Sequence, residues 1–381
     1  MSPIRVGIIG LSAKSSDEAL GAWAVKSILP SLRNSPKYEV VALCNSSLEA
    51  AQRSIEFHSL PKETRTYDNP ESMAADPDVD LVVVSVSVEK HHHLALPAIA
   101  ARKNLFVEWP LGRTVAEAEE MTELAAKSNI RTVVGTQAIA DPVLVKLKEV
   151  IERGDIGEVR TTAVVGTLPA IPPQFWIKGL EQWLDLDRGA NVFHVIFGHF
   201  LASFLHVLGT FDLSTLSSVL KVESKEIPIY TPDRTAIDIP SHPKNTPEHI
   251  FAQGVLQSGA VASISFRTTP GAVDDEARLR WVISGTKGEI EVTSPHTSWQ
   301  AHVPARKFKV KPFEEEEEAW EYGTKDWQRD LSVAKGLGLE AVNTALVLDA
   351  FAEGSQGNHA DFKEALEFQR VLDAMIKRSA P

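Results

Sequence analysis

The first third of the chain alternates short apolar runs with longer segments of helical period. The runs Arg5–Ile9, Glu39–Leu43, Asp80–Ser85, Asn104–Val107 and Arg131–Val134 are rich in Val, Ile and Leu and lack polar alternation. Strands read this way when helices cover both faces of a parallel sheet. Between them, Ala22–Leu32, Leu48–Phe57, His91–Ala101 and Val115–Lys127 are helical by period and composition. Repeated βαβ units of this kind predict a doubly wound α/β domain over residues 1–150, with its ligand at the carboxyl ends of the strands.

Beyond residue 158 the pattern changes. Val159–Thr167, Gly254–Leu256, Ala260–Arg267, Leu279–Ser284 and Glu289–Thr293 resemble a meander of antiparallel strands, with turns at Ser258-Gly259 and Gly285–Gly288. A helical segment, Ala190–Leu208, sits among them, and Leu339–Glu353 and Phe362–Arg378 are two late helices. The predicted architecture is an N-terminal Rossmann domain followed, over residues 151–381, by an α+β domain with an open, mainly antiparallel sheet. The terminal helices are free to pack back on the first domain. Leu168–Asp187, Ile227–Thr246 and Pro304–Gly323 read as loops, the last carrying five glutamates, Glu314–Glu318, as a solvated run.

Composition narrows the partners. The chain is 43% hydrophobic and 24% charged, ordinary globular usage that excludes wholesale disorder. Its 51 acidic against 39 basic residues, a net charge of −12, argue against direct nucleic-acid or membrane-surface binding. A lone cysteine, Cys44, excludes an intrachain disulfide and fits a reducing compartment. There is no leader pattern at Met1 and no long apolar window, so the expectation is a cytoplasmic protein.

The chemistry gathers at the predicted strand ends. Gly10-Leu11-Ser12-Ala13-Lys14-Ser15 follows the first strand. The G-x-G-x-x-G fingerprint lets backbone approach a pyrophosphate, and only Gly10 keeps a glycine there. Alone the loop reads equally as a plain turn; the βα context makes it a nucleotide loop, with Ser12, Ala13 and Lys14 as donors. After the second strand, Asn45 and Ser46 stand where NAD-selective sites place a carboxylate for the ribose 2′-hydroxyl, and Arg53 follows. This predicts NADP(H) in preference to NAD(H), the alternative being that Arg53 is an exposed helix residue. Ser87 and His91 lie past the next strand. Successive helical residues are about 100° apart, so His91, His92 and His93 do not share a face and no metal site is expected.

Glu108-Trp109-Pro110 puts a carboxylate, a large aromatic and a proline at the end of a buried strand. Trp109-Pro110 is a candidate cis peptide, and Trp109 either points into the cleft or packs in the core. Gln137 follows the last strand of this domain and joins the cofactor set. On the later helix, Asn191, His194, His199 and His206 have no acidic partner, which argues against zinc. His206 reads as core; His194 and His199 are the proton-transfer candidates.

Together these features resemble the glucose-fructose oxidoreductase/inositol dehydrogenase (Gfo/Idh/MocA) family over essentially the whole chain, including the boundary Ile151–Val159 and the turn Gly285-Thr286-Lys287-Gly288. The family's histidine matches His91 and its Glu-Lys-Pro signature matches Glu108-Trp109-Pro110. Its later Asp and His fall on Val195 and His199. The resemblance implies a nicotinamide-dependent oxidoreductase whose lysine handles a proton, but here Trp109 stands for that lysine and Val195 for the aspartate. The loop after strand one, Gly21–Ala24, the stretch before Pro110 and Phe197-Gly198-His199 look most like the fungal branch that includes the galactose-pathway repressor.

Two functions follow. One is an NADP(H)-dependent oxidoreductase acting on a small, partly apolar carbonyl, imine or polyol-type substrate. In it Trp109 only positions, and His194 or His199 moves the proton. Phe175, Trp176 and Trp183, in loops with few charges, suggest the apolar character. The other is a catalytically silent NADP(H)-binding regulator. A homodimer through the C-terminal sheet is expected in either case. In Ala260–Arg267, Ala262, Ile264 and Phe266 form an apolar side, and the opposite side is uncharged up to Arg267.

Overall fold

The computed structural model describes residues 2–14, 23–168, 174–269, 274–314, 318–322, 331–354 and 358–380. Ser15, the expected late helix start at residues 17–21, Ala22 and the middle of the glutamate run, residues 315–317, lie outside the described residues. The chain forms two compact units. One comprises Met1–Asp141, Gln300–His302 and Asp330–Leu366; the other comprises Pro142–Trp299, Val303–Arg329 and Glu367–Pro381.

The first unit is built on a six-stranded parallel sheet: β1 (Ile4–Ile9), β2 (Tyr38–Cys44), β3 (Arg65–Tyr67), β4 (Leu81–Val84), β5 (Asn104–Val107) and β6 (Thr132–Val134). Their order, β3-β2-β1-β4-β5-β6, is doubly wound, with its switch point between β1 and β4. A π-helical turn, Ala24–Ile28, runs into α1 (Leu29–Asn34). Next come α2 (Leu48–Phe57), α3 (Pro70–Ala75), α4 (His91–Ala100) and α5 (Val115–Ser128). Ser47 and Thr114 cap α2 and α5 by accepting the amides of Ala50 and Glu117. The pair β3 and α3 escapes the hydrophobic pattern because it is short, and β3 is a half-buried edge strand. The late helix Leu339–Glu353 packs in this unit. The Ser27 and Thr344 hydroxyls lie 2.5 Å apart, and the Tyr38 hydroxyl donates to the Leu348 carbonyl.

The second unit begins with α6 (Pro142–Glu152), which packs against α7 (Gly198–Leu208). Its strands are β7 (Val159–Leu168), β8 (Trp176–Ile177), β9 (Ser217–Lys221), β10 (Glu226–Tyr230), β11 (Ile237–Pro243), β12 (His249–Val255), β13 (Val261–Thr268), β14 (Leu279–Gly285), β15 (Gly288–Ser294), β16 (Lys307–Pro312), β17 (Trp320–Tyr322) and β18 (Ser379–Ala380). Nine form a sheet in the order β17-β16-β15-β14-β7-β13-β12-β9-β18. It is mainly antiparallel; β7 with β13, and β9 with β18, run parallel. One face packs on the helix: Phe200 meets Phe266 at 4.9 Å between ring centres, and Phe204 meets Trp281 at 5.4 Å.

All three stretches expected as loops contain strands: β8 lies within residues 168–187. Residues 227–246 hold most of β10 and all of β11, which join β8 in a second, three-stranded sheet. Ile227 and Ile229 close a small core there with Trp176 and Leu184. Pro228, Pro240 and Pro243 mask the strand signal, because proline marks edge strands and breaks. Residues 304–323 hold β16 and β17. In β16, buried Phe308 and Val310 alternate with Lys307, Lys309 and Lys311, and that charge hides a strand beside the glutamate run. The late helices are α8 (Leu339–Glu353) and α9 (Phe362–Arg378). Among the described residues, no helix is long and apolar enough to cross a membrane.

Candidate functional site

The loop after β1 is shaped by contacts on both sides. Gly10 has φ +100°, and a Cβ there would lie 2.4 Å from the Ser85 carbonyl oxygen, so only glycine fits. The Leu11 side chain is buried in the core, and its carbonyl accepts from Asn45 Nδ2 (2.9 Å) and Ser54 Oγ (2.7 Å). The Ser12 carbonyl accepts from His58 Nε2 at 2.7 Å. Among the described residues, the amides of Leu11, Ser12, Ala13 and Lys14 have no acceptor, and neither does the buried Ser12 hydroxyl. Buried polar groups seldom stay unsatisfied. Consecutive free amides with an exposed lysine fit an anion such as the diphosphate of a dinucleotide.

At the end of β2, Asn45 is half-buried and its amide also reaches the Ala50 carbonyl and Ser54 Oγ. Ser46 and Arg53 are exposed, and Arg53 has no ion pair among the described residues. Cys44 is buried, and burial pushes its thiol up to about 11, so it is no nucleophile at neutral pH.

Past β4, Ser87 is exposed and His91 is buried. His91 Nδ1 lies 2.9 Å from the Pro110 carbonyl and Nε2 lies 3.1 Å from that of Val86. Both ring nitrogens therefore meet backbone, tying the end of β4 to the turn after β5. His92 pairs with Glu120 and His93 is exposed, so the triplet diverges. Among the described residues, no group of His, Cys, Asp or Glu is placed to hold a metal.

The ends of β5 and β6 carry the buried carboxyl. Both Glu108 oxygens lie 3.1 Å from Gln137 Nε2. Gly135 makes the room, since a Cβ there would lie 2.2 Å from Glu108 Oε2. Burial pushes the Glu108 carboxyl up to about 8, opposed by its bond from Gln137, so it holds a proton at neutral pH. Gln137 Oε1 and the neighbouring Thr136 hydroxyl are buried without a partner among the described residues. The Trp109–Pro110 peptide is cis, and Trp109 is buried.

In the second unit, Asn191 caps a π-helical turn, Val192–Phe197, that runs into α7. Such turns recur at functional sites. Asn191 Oδ1 accepts from the His194 amide at 3.0 Å and lies 3.1 Å from His194 Nδ1. Burial pushes His194 down to about 4 and His199 to about 3, so both are neutral at physiological pH. His206 Nε2 lies 3.2 Å from Lys148 Nζ, away from this pair's role. Trp176 donates to the Leu180 carbonyl at 2.6 Å, and Trp183 packs on the same small core. Phe175 meets Tyr230 at 5.0 Å between ring centres, so all three aromatic residues read as substrate-facing are engaged in packing. Sequence reasoning missed Ser54 and His58: a side chain that bonds a distant carbonyl leaves no periodic signal.

A doubly wound sheet with a loop of unpaired amides, among the described residues, at its switch point, followed by a mixed sheet backed by a helix, defines the class of two-unit nucleotide-binding proteins. The chain belongs to the Gfo/Idh/MocA oxidoreductase family. A family model described as "Oxidoreductase family, NAD-binding Rossmann fold" matches residues 4–136, and one for the Gal80p C-terminal domain matches residues 142–294. The chain is 30% identical over 328 residues to "Dehydrogenase aclE" of Aspergillus oryzae, covering 84% of each. It is 28% identical over 304 residues to the galactose/lactose metabolism regulatory protein GAL80 of Kluyveromyces lactis, covering 76% of this chain and 64% of that one. A super-repressor mutant of Gal80p from Saccharomyces cerevisiae shares the fold with a TM-score of 0.82 at 20% identity, covering 99% of this chain and 95% of that one.

Proposed function

We propose that the protein is an NADP(H)-dependent oxidoreductase. The observation that supports this reading is the run of amides and a buried hydroxyl without acceptors among the described residues, beside a strand end that carries Asn45 and Ser46, with Arg53 following. The amides of Leu11, Ser12, Ala13 and Lys14 would hold the diphosphate from Gly10 onward, with Lys14 adding charge. Ser46 and Arg53 would take the 2′-phosphate, and Asn45 shapes the site. Glu108, Gln137 and Trp109 would line the nicotinamide end, with Ser87 and His91 supporting it. When bound, the nicotinamide supplies or accepts a hydride.

The chain's own task is the proton. Trp109 cannot carry one and serves to position and to exclude water. Glu108 keeps its proton at neutral pH and is suited to give it up. His194 and His199, which burial keeps neutral at that pH, are suited to hold a water that relays the proton. The substrate we propose is a small, partly apolar carbonyl, imine or polyol-type molecule. Likeness to a dehydrogenase over 84% of both chains supports turnover. The second reading, a silent dinucleotide-binding regulator, is favoured by Trp109 and Val195 in place of the family's lysine and aspartate, and by the Gal80p-like second half.

The test is to follow loss of the reduced-nicotinamide absorbance with NADPH and a panel of carbonyl and imine substrates. Turnover is expected on at least one, and His194→Ala or His199→Ala should lower it. Tight NADPH binding without turnover on any substrate would select the regulator.

A further inference from the structure

We infer that Asn45, Ser54 and His58 form a clamp that aims the Ser12 and Ala13 amides at the diphosphate; this rests on the dinucleotide reading above. In a planar trans peptide, the carbonyl and the following N–H point in opposite directions. Holding the Leu11 carbonyl therefore sets the direction of the Ser12 amide, and holding the Ser12 carbonyl sets that of Ala13. Asn45 Nδ2 and Ser54 Oγ hold the first at 2.9 and 2.7 Å, and His58 Nε2 holds the second at 2.7 Å. Each carbonyl is pulled toward α2, so each amide faces away from it.

The three side chains brace one another. Asn45 Nδ2 lies 3.1 Å from Ser54 Oγ, and Arg33 donates to the His58 carbonyl, fixing the turn where Ser59 takes φ +51°. The device suits a loop that keeps only its first glycine. With Ser12 in place of the second, the backbone gains its direction from outside the loop. The clamp also assigns the Asn45 amide to the loop, leaving Ser46 and Arg53 for the adenosine ribose.

The experiment compares two ligands by competition titration of the full chain: NADPH, and adenosine 2′-monophosphate, which lacks the diphosphate. Ser54→Ala and His58→Ala should each weaken NADPH about tenfold, the scale of one hydrogen bond to a charged group. Binding of adenosine 2′-monophosphate should be unchanged, and His58→Gln, which keeps an N–H donor, should recover most of the NADPH affinity. Unchanged NADPH affinity in both alanine variants, or parallel loss of both ligands, would overturn the clamp while leaving the parent reading intact. Wild-type protein that fails to bind NADPH at all would instead overturn the parent reading, and the clamp with it.

Discussion

Glu108 and the two helix histidines pull the molecule's pH response in opposite directions. The Glu108 carboxyl titrates in the folded chain at about 8 against an ordinary 4.5, so between those values the folded state holds a proton that the unfolded state has lost. Its contribution is therefore present at low pH and is lost as pH rises toward 8, by up to about 1.4 kcal/mol per pH unit. His194 and His199 have the reverse sign. Their folded values of about 4 and 3 lie below the ordinary 6.5, so stability falls as pH drops below 6.5. Stability should peak near that value. Urea unfolding across pH 6.5–8 should show a decline in the wild type that Glu108→Gln flattens; an equal slope in both would disprove the protonated carboxyl.

At the scale of elements, legibility followed burial. β1, β2, β4 and β5 are buried among helices and stood out as unbroken apolar runs. The strands β10, β11, β16 and β17 did not, because proline in the first two and lysine in β16 interrupt the pattern. The site divides in the same way: Gly10, Glu108 and Gln137 sit at strand ends that pattern alone locates, whereas Ser54 and His58 act across the fold. The nine-stranded sheet also carries a prediction. Val219, Phe251, Ser265 and Val165 stand in register across β9, β12, β13 and β7. Phe251 is 44% and Val165 52% exposed, an uncharged patch that ends at Arg280 on β14. We propose this face as the homodimer interface. Light scattering should give a dimer that Phe251→Glu reduces to a monomer; a wild-type monomer at high concentration would refute it.

Over the whole molecule, the net charge of −12 says little about the ligand, because the proposed cofactor loop and helix offer Lys14 and Arg53 to phosphates. Length and alternation pointed to two units, and the chain's return at Gln300–His302 and Asp330–Leu366 adds late segments to the first. The proposal with most resting on it is the phosphate-selective dinucleotide site of that first unit. Parallel titration of NADPH and NADH into the full chain tests it most directly. The expected result is NADPH binding at least about tenfold tighter, a gap that Arg53→Ala closes. NADH binding as tightly as NADPH, or more tightly, would contradict it.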